Sequence, residues 1–193
     1  MLSSAWRSLL QGRRNTPLFW DAFWSENDHS ANPAYMTAVE LLPDWPKAFL
    51  LDAGCGCGCG IGLFANRRPG WEFMGVDFSE EAIGTARGAG IKGATFSVGA
   101  LEVLEPRNVD VVVMVHVVEN LDDPFSVVVK FLRRCRVMII VSPFESQAGP
   151  GNGYTHLVTL RRESFDELRP AVVKLDGRGD IVYVLRGALS GGA

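Results

Sequence analysis

The chain has 193 residues, enough for one well-buried core and little beyond it, so a single domain is expected. With 47% hydrophobic and 21% charged residues, its composition is that of a globular protein and excludes a disordered or fibrous chain. A net charge of −3 provides no basic excess to grip a phosphate backbone, so nucleic acid is disfavoured as a partner.

Arg7 and the pair Arg13-Arg14 interrupt the N-terminal apolar residues, which lack the core of a signal peptide. The longest apolar run, residues 109–118, contains Asp110 and His116 and is too short to cross a bilayer. A cytoplasmic location without membrane contact is the expectation. Residues 1–46 are rich in aromatics, among them Trp20, Phe23, Trp24, Tyr35 and Trp45. They predict helices over 17–25 and 33–42, the second opening at Asn32-Pro33, and read as a helical cap on a core spanning 47–187.

From Ala48 onward, short apolar runs alternate with amphipathic stretches, the rhythm of a parallel sheet covered by helices on both faces. The runs 48–53, 72–78, 94–98, 109–115 and 137–142 predict five parallel strands. A helix is expected over 161–168, then a hairpin of 171–176 and 180–186 around Gly177-Arg178-Gly179, and a flexible tail over 188–193. The fold class is therefore α/β and doubly wound, with seven strands, mostly parallel, ending in an antiparallel hairpin.

The first strand runs into Asp52-Ala53-Gly54-Cys55-Gly56-Cys57-Gly58-Cys59-Gly60. A glycine-rich turn between strand and helix presents bare backbone N–H groups to a ligand, although the same glycines would also serve a tight turn alone. The dinucleotide fingerprint G-x-G-x-x-G fails in every frame, because its third glycine falls on Cys59, Ile61 or Leu63. The Lys-Ser/Thr pair of a P-loop is missing as well. Cys55, Cys57 and Cys59 are too close to bridge one another and lack the spacing usual for zinc, so no metal is expected. Asp77 lies 19 residues beyond Gly58, which suits a carboxylate accepting from ribose hydroxyls. It would equally suit a cap on the helix that opens Ser79-Glu80-Glu81.

Leu50-Leu51-Asp52-Ala53-Gly54-Cys55-Gly56-Cys57-Gly58 resembles the first motif of class I S-adenosylmethionine-dependent methyltransferases, an apolar pair followed by Asp-x-Gly-Cys-Gly-x-Gly. Gly75-Val76-Asp77-Phe78-Ser79 stands where that family places its ribose-binding acid. Val115-His116-Val117-Val118-Glu119-Asn120-Leu121-Asp122-Asp123-Pro124 resembles the family's fourth-strand signature, His-Val-Leu-Glu-His-Leu-x-Asp-Pro. The resemblance covers roughly residues 48–142 and implies a Rossmann-like fold with S-adenosylmethionine as cofactor. It further implies that Asp52, Ala53, Gly54, Cys55, Gly56 and Gly58 cradle the methionine end and that Asp77 and Phe78 hold the ribose. Ala100 and Leu101 would then lie at the adenine, and Val115 and His116 against the cofactor. Two positions depart from the family pattern: Ala100 stands where an Asp usually meets the adenine amino group, and Asn120 replaces the signature's second His.

A sulfonium methyl is already electrophilic, so such an enzyme aligns an acceptor and excludes water; a hydroxyl acceptor also profits from a general base. Of the three histidines, His116 and His156 are the candidates for that base, with His29 behind them. Trp20, Trp24, Tyr35, Glu119, Asn120 and Tyr154 are candidate acceptor-pocket residues, although aromatics on short helices are more often core. The Asn/Asp-Pro-Pro-Tyr/Phe motif of enzymes that methylate nucleic-acid or glutamine nitrogen is absent after the fourth strand. That favours a small-molecule or sugar-type acceptor, with oxygen as the receiving atom. The alternatives are a catalytically idle cofactor-binding partner subunit and, less favoured, a nucleotide-binding oxidoreductase. Oligomeric state is not legible in the sequence.

Overall fold

A computed structural model describes residues 16–26, 32–145 and 156–191. Helix α1, Pro17–Glu26, begins with proline at its first position, and the Thr16 hydroxyl accepts from Phe19 N at 3.3 Å. Helix α2, Ala34–Glu40, starts where Asn32 Oδ1 accepts from Ala34 N at 2.9 Å. Then follow β1 (Phe49–Ala53), α3 (Cys59–Arg67), β2 (Glu72–Asp77), α4 (Glu80–Gly88) and β3 (Ala94–Val98). The chain continues through β4 (Val111–Val115), a 3-10 turn (Val118–Asn120), α5 (Pro124–Leu132), β5 (Val137–Pro143), β6 (Val172–Leu175) and β7 (Asp180–Arg186).

The seven strands form one sheet in the order β3-β2-β1-β4-β5-β7-β6, with β7 antiparallel to both neighbours. The winding reverses between β1 and β4, which opens a crevice at their C-terminal ends, the place where open α/β sheets bind ligands. β4 is buried along its whole length, because helices cover both faces of the sheet. Val111, Val113 and Val115 pack with α2 and α3 on one face, while Val112 and Met114 pack with Phe131 of α5 on the other. Among the described residues, no helix is long and apolar enough to cross a membrane.

One expectation needs correction. The helix expected over 161–168 is a series of turns ending in a 3-10 turn, Asp166–Leu168. Ser164 Oγ accepts from Arg161 N at 2.8 Å across the first of these turns. Phe165 is fixed edge-on to Tyr183, 5.0 Å between ring centroids, and Pro170 forbids continuation. Of the tail over 188–193, Ala188–Gly191 form a 3-10 turn with Leu189 N donating to Cys135 O at 3.0 Å, and residues 192 and 193 lie outside the described residues. The closing hairpin follows the expectation, its tip tied by Asp176 Oδ1 accepting from Arg178 N and Asp180 N at 2.8 and 3.0 Å.

Candidate functional site

The loop from Gly54 to Gly58 carries positive φ at all three glycines, 84°, 51° and 78°. At Gly54 a side chain would be strained by this φ and would also run into Val117 Cγ2. The fit of Val117 onto Gly54 joins the glycine loop to the segment after β4. At Gly56 an added Cβ would lie 2.6 Å from the Trp24 ring, so α1 lays its indole over the loop. Asp77 ties the same loop to β2: Oδ2 accepts from Gly56 N at 2.9 Å and Oδ1 from Ser79 N at 3.0 Å. Each oxygen thus spends one lone pair on backbone and keeps another for a ligand donor. Burial pushes the Asp77 pKa up against the backbone N–H groups of Ser79, Gly56 and Phe78.

Helix α1 docks through Asp21, whose Oδ1 accepts from Ser79 Oγ at 2.5 Å and Glu81 N at 3.3 Å, using the donor-rich N-terminus of α4. Ser79 Oγ in turn accepts from Ala82 N at 3.1 Å as the cap of that helix. Beyond β3, Gly99 N donates to Asp77 O at 2.9 Å, and Lys130 Nζ donates to Leu101 O at 2.7 Å. These bonds bring Ala100 and the buried Leu101 beside the end of β2, next to half-buried Phe78.

Asp52 ends fully buried under the loop, beside buried Ala53, and its two oxygens accept from the Tyr35 hydroxyl at 3.4 and 3.2 Å. Tyr35 therefore does not line an acceptor pocket as expected; its ring packs on Phe64 and Gly60 inside the core. Burial raises the Asp52 pKa to about 8, with Tyr35 opposing and Asp77 reinforcing the rise. A carboxyl held above its unfolded pKa stabilises the fold while protonated, and loses that contribution as pH rises from about 4 towards 8. Asp52→Asn, which mimics the neutral form, is therefore expected to raise Tm near pH 8 and to match the wild type near pH 4. Thermal melts across pH check this, and a gain that is equal at both pH values would refute it.

His116 follows buried Val115 in a left-handed conformation, φ 55°, with its N–H on Val141 O at 2.8 Å. Asn120, expected in the acceptor pocket, instead donates from Nδ2 to His116 O at 3.2 Å and secures this turn. Glu119, only 2% exposed, accepts from Ser142 Oγ at 2.7 Å through Oε2, while its buried Oε1 has no hydrogen-bond partner. Burial holds the Glu119 carboxyl above its ordinary range, against the nearby His116 and Ser142. The Glu119 carbonyl accepts from Leu157 N and Val158 N at 2.7 and 3.1 Å, which brings His156 back towards β4. Burial and the charge of His116 both lower the His156 pKa.

Cys55 is buried with its thiol pKa raised by burial, and burial also pushes Cys57 up to about 12, so neither is a ready thiolate. Trp20 packs edge-on against Phe19 and Phe23, and its buried Nε1 has no hydrogen-bond partner. Tyr154 and His29 lie outside the described residues. Among the described residues, no three of His, Cys, Asp and Glu converge as a metal-ligand set. A groove of about 520 Å³ between Glu105-Pro106 and the outer face of α5 shares no residue with this crevice.

Sequence reasoning missed Asp21, Val117, Ser142 and Asp180. Each acts across a contact between elements distant in the chain, and no local spacing marks it.

Residues 51–137 match the family model of a methyltransferase domain. This stretch, a little under half of the chain, is similar to a methyltransferase domain. S-adenosylmethionine is the cofactor of such a domain. Among curated proteins, none matches the sequence. Among solved structures, the chain is similar to DhpI in complex with S-adenosylhomocysteine, with TM-score 0.68 and 17% identity over 89% of this chain and 94% of that one. It is similar to a SAM-dependent methyltransferase from Aquifex aeolicus, with TM-score 0.66 and 15% identity over 89% of this chain and 98% of that one. A third likeness is to phosphoethanolamine N-methyltransferase 1 of Haemonchus contortus in complex with phosphoethanolamine and S-adenosylhomocysteine. There the TM-score is 0.65 and the identity 15%, covering 88% of this chain and 47% of that one. The chain thus spans about half the length of the Haemonchus protein, and likewise 53% of TnmH. At these identities the likeness is one of fold. The residues present fit the cofactor at Asp77, whose two oxygens each keep a lone pair for a hydroxyl donor, while Val117, Trp24 and Phe96 take the space over the glycines of the loop.

Proposed function

We propose that this protein transfers a methyl group from S-adenosylmethionine to a small-molecule or sugar-type acceptor, at oxygen, by direct in-line displacement. The observation that carries the reading is that Asp77 and the segment carrying His116 both meet the glycine loop, through Gly56 N on Asp77 Oδ2 and Val117 against Gly54. When bound, the cofactor supplies an electrophilic methyl on a sulfonium.

The chain's residues do the rest. Asp77 accepts from the two ribose hydroxyls, with Phe78 beside it. Asp52, Ala53, Gly54, Cys55, Gly56 and Gly58 form the bed for the methionine portion. Ala100 and Leu101 border the adenine side, and Val115 and His116 face the reacting end. Trp24, laid over Gly56, and Trp20 on the same helix exclude water from the crevice. His116 takes the proton of the acceptor hydroxyl, with His156 as its neighbour on the acceptor side. The Haemonchus protein, which holds phosphoethanolamine beside S-adenosylhomocysteine, supports an acceptor of small size.

The test is incubation of the purified protein with tritium-labelled S-adenosylmethionine and a metabolite extract. Label is expected in small organic products as methyl ethers. Persistent silence from protein that binds S-adenosylhomocysteine would instead assign it to an idle partner subunit. Binding of NAD without S-adenosylhomocysteine would sink both readings.

A further inference from the structure

Asp180 is the first residue of β7 and pairs in register with Pro143 at the end of β5. The antiparallel return of β7 thus delivers a carboxylate to the C-terminal edge of the parallel strands, beside the crevice. Asp180 Oδ1 lies 3.0 Å from His116 Nε2. The carboxylate side chain is 11% exposed and the imidazole 31%, so the partner is sheltered while part of the ring stays open. An ionised carboxylate only accepts, so Nε2 carries the shared proton and Nδ1 is the nitrogen left with a lone pair.

The backbone beneath the ring is restrained independently. His116 holds a left-handed φ of 55°, uncommon for a residue with a side chain, with Val141 O on its N–H and Asn120 Nδ2 on its carbonyl. Asp180 is fixed as well: its N–H is held by Asp176 Oδ1 at 3.0 Å, and Asp176 Oδ2 accepts from Thr37 Oγ1 of α2 at 2.8 Å. The hairpin tip, α2 and the end of β4 are thereby fastened into one frame around a single imidazole.

We infer that Asp180 is the positioning residue for His116, holding the ring through Nε2 so that Nδ1 receives the proton of an acceptor hydroxyl. The inference rests on the methyl-transfer reading above. In the proton step the acceptor O–H bond breaks and its electron pair stays on oxygen. The proton passes to Nδ1, and the imidazolium formed is stabilised by the Asp180 carboxylate.

The charged and titratable groups that act on the ring are Asp180 from β7, Asp176 from the hairpin tip, itself paired with Arg178, Glu119 from the 3-10 turn, and His156. Burial alone would lower the His116 pKa. The hydrogen bond to Asp180, with the charges of Glu119, Asp180 and Asp176, outweighs it and leaves the pKa raised. A ring so held is a stronger proton acceptor than His156, whose pKa is lowered.

The test uses the full chain loaded with S-adenosylhomocysteine, with two-bond ¹H–¹⁵N spectra of the imidazoles recorded across pH. Wild-type His116 is expected as the Nε2–H tautomer, titrating above an ordinary histidine. In Asp180→Asn its midpoint should move to lower pH and its tautomer preference be lost. Methyl transfer to extract acceptors should show the same displacement of its acidic limb. The plateau rate should also fall on the order of tenfold to a hundredfold, part of what a general base contributes.

An unshifted titration in Asp180→Asn overturns the positioning role, and a shifted titration with an unchanged pH profile overturns the base role. If wild-type protein binds S-adenosylhomocysteine yet transfers nothing, the methyl-transfer reading fails and the base role with it. The titration still reports separately on the pair. Should Asp180→Asn not fold, His116→Gln replaces it and is expected to abolish the acidic limb, whose survival would overturn the inference.

Discussion

Asp77→Asn is expected to weaken S-adenosylhomocysteine binding by roughly tenfold to a hundredfold, the worth of about 1.5–3 kcal/mol for a hydrogen bond to a charged group. Both carboxylate oxygens of Asp77 already accept backbone N–H groups, from Gly56 and Ser79. An amide can accept only on its oxygen. Its NH₂ must therefore face one of those N–H donors, and a ribose hydroxyl loses its charged acceptor at the same time. Titration calorimetry reads the affinity, and thermal melting reports any loosening of the loop. An affinity equal to the wild type, with Tm lowered or not, would take the ribose role away from Asp77 and leave it as the tie between the glycine loop and α4.

The largest effect on stability is expected from Gly54→Ala. Its φ of 84° lies in the left-handed region, where a side chain costs roughly 1–2 kcal/mol. The new methyl would also run into Val117, a β-branched residue with little rotamer freedom, for about 1–3 kcal/mol of overpacking. For a chain of this size, a loss of about 2–5 kcal/mol lowers Tm by roughly 4–20 °C. Because Val117 follows His116 directly, S-adenosylhomocysteine binding should weaken along with stability. Adding Val117→Ala relieves the collision but not the backbone strain, so the double variant should recover part of the Tm. Full recovery would mean that the left-handed conformation costs nothing, and no recovery would mean that Val117 is not what Gly54 makes room for.

The glycine loop, Asp77 and the strand rhythm were legible in the sequence because each is locally encoded. Gly54, Gly56 and Gly58 are required by backbone angles within five residues, and Asp77 by its place at the end of one strand. The β-α alternation with a closing hairpin was enough for the seven strands and for the doubly wound class. Local pattern failed over 161–168, where the docking of Phe165 on Tyr183 prevails over helical periodicity.

Residue type alone also could not place the aromatics of the N-terminal segment. Tyr35 turns inward to a buried carboxylate, while Trp24, one helix earlier, covers the glycine loop. Which of these a tyrosine or tryptophan does depends on the partner across the gap, and that partner is set only when the helices dock.

What the sequence by itself determined about this protein is therefore the doubly wound fold and the loop and acid suited to S-adenosylmethionine. What only the tertiary structure decided is the pairing of His116 with Asp180 across 64 residues of chain, on which the proposed acceptor side rests. The reason is physical. A phosphate- or ribose-binding turn is built from consecutive backbone groups and leaves a local signature, whereas a proton-handling pair needs two side chains at one point in space. The sheet order that brings β7 back beside β5 makes that meeting, and no spacing along the chain records it.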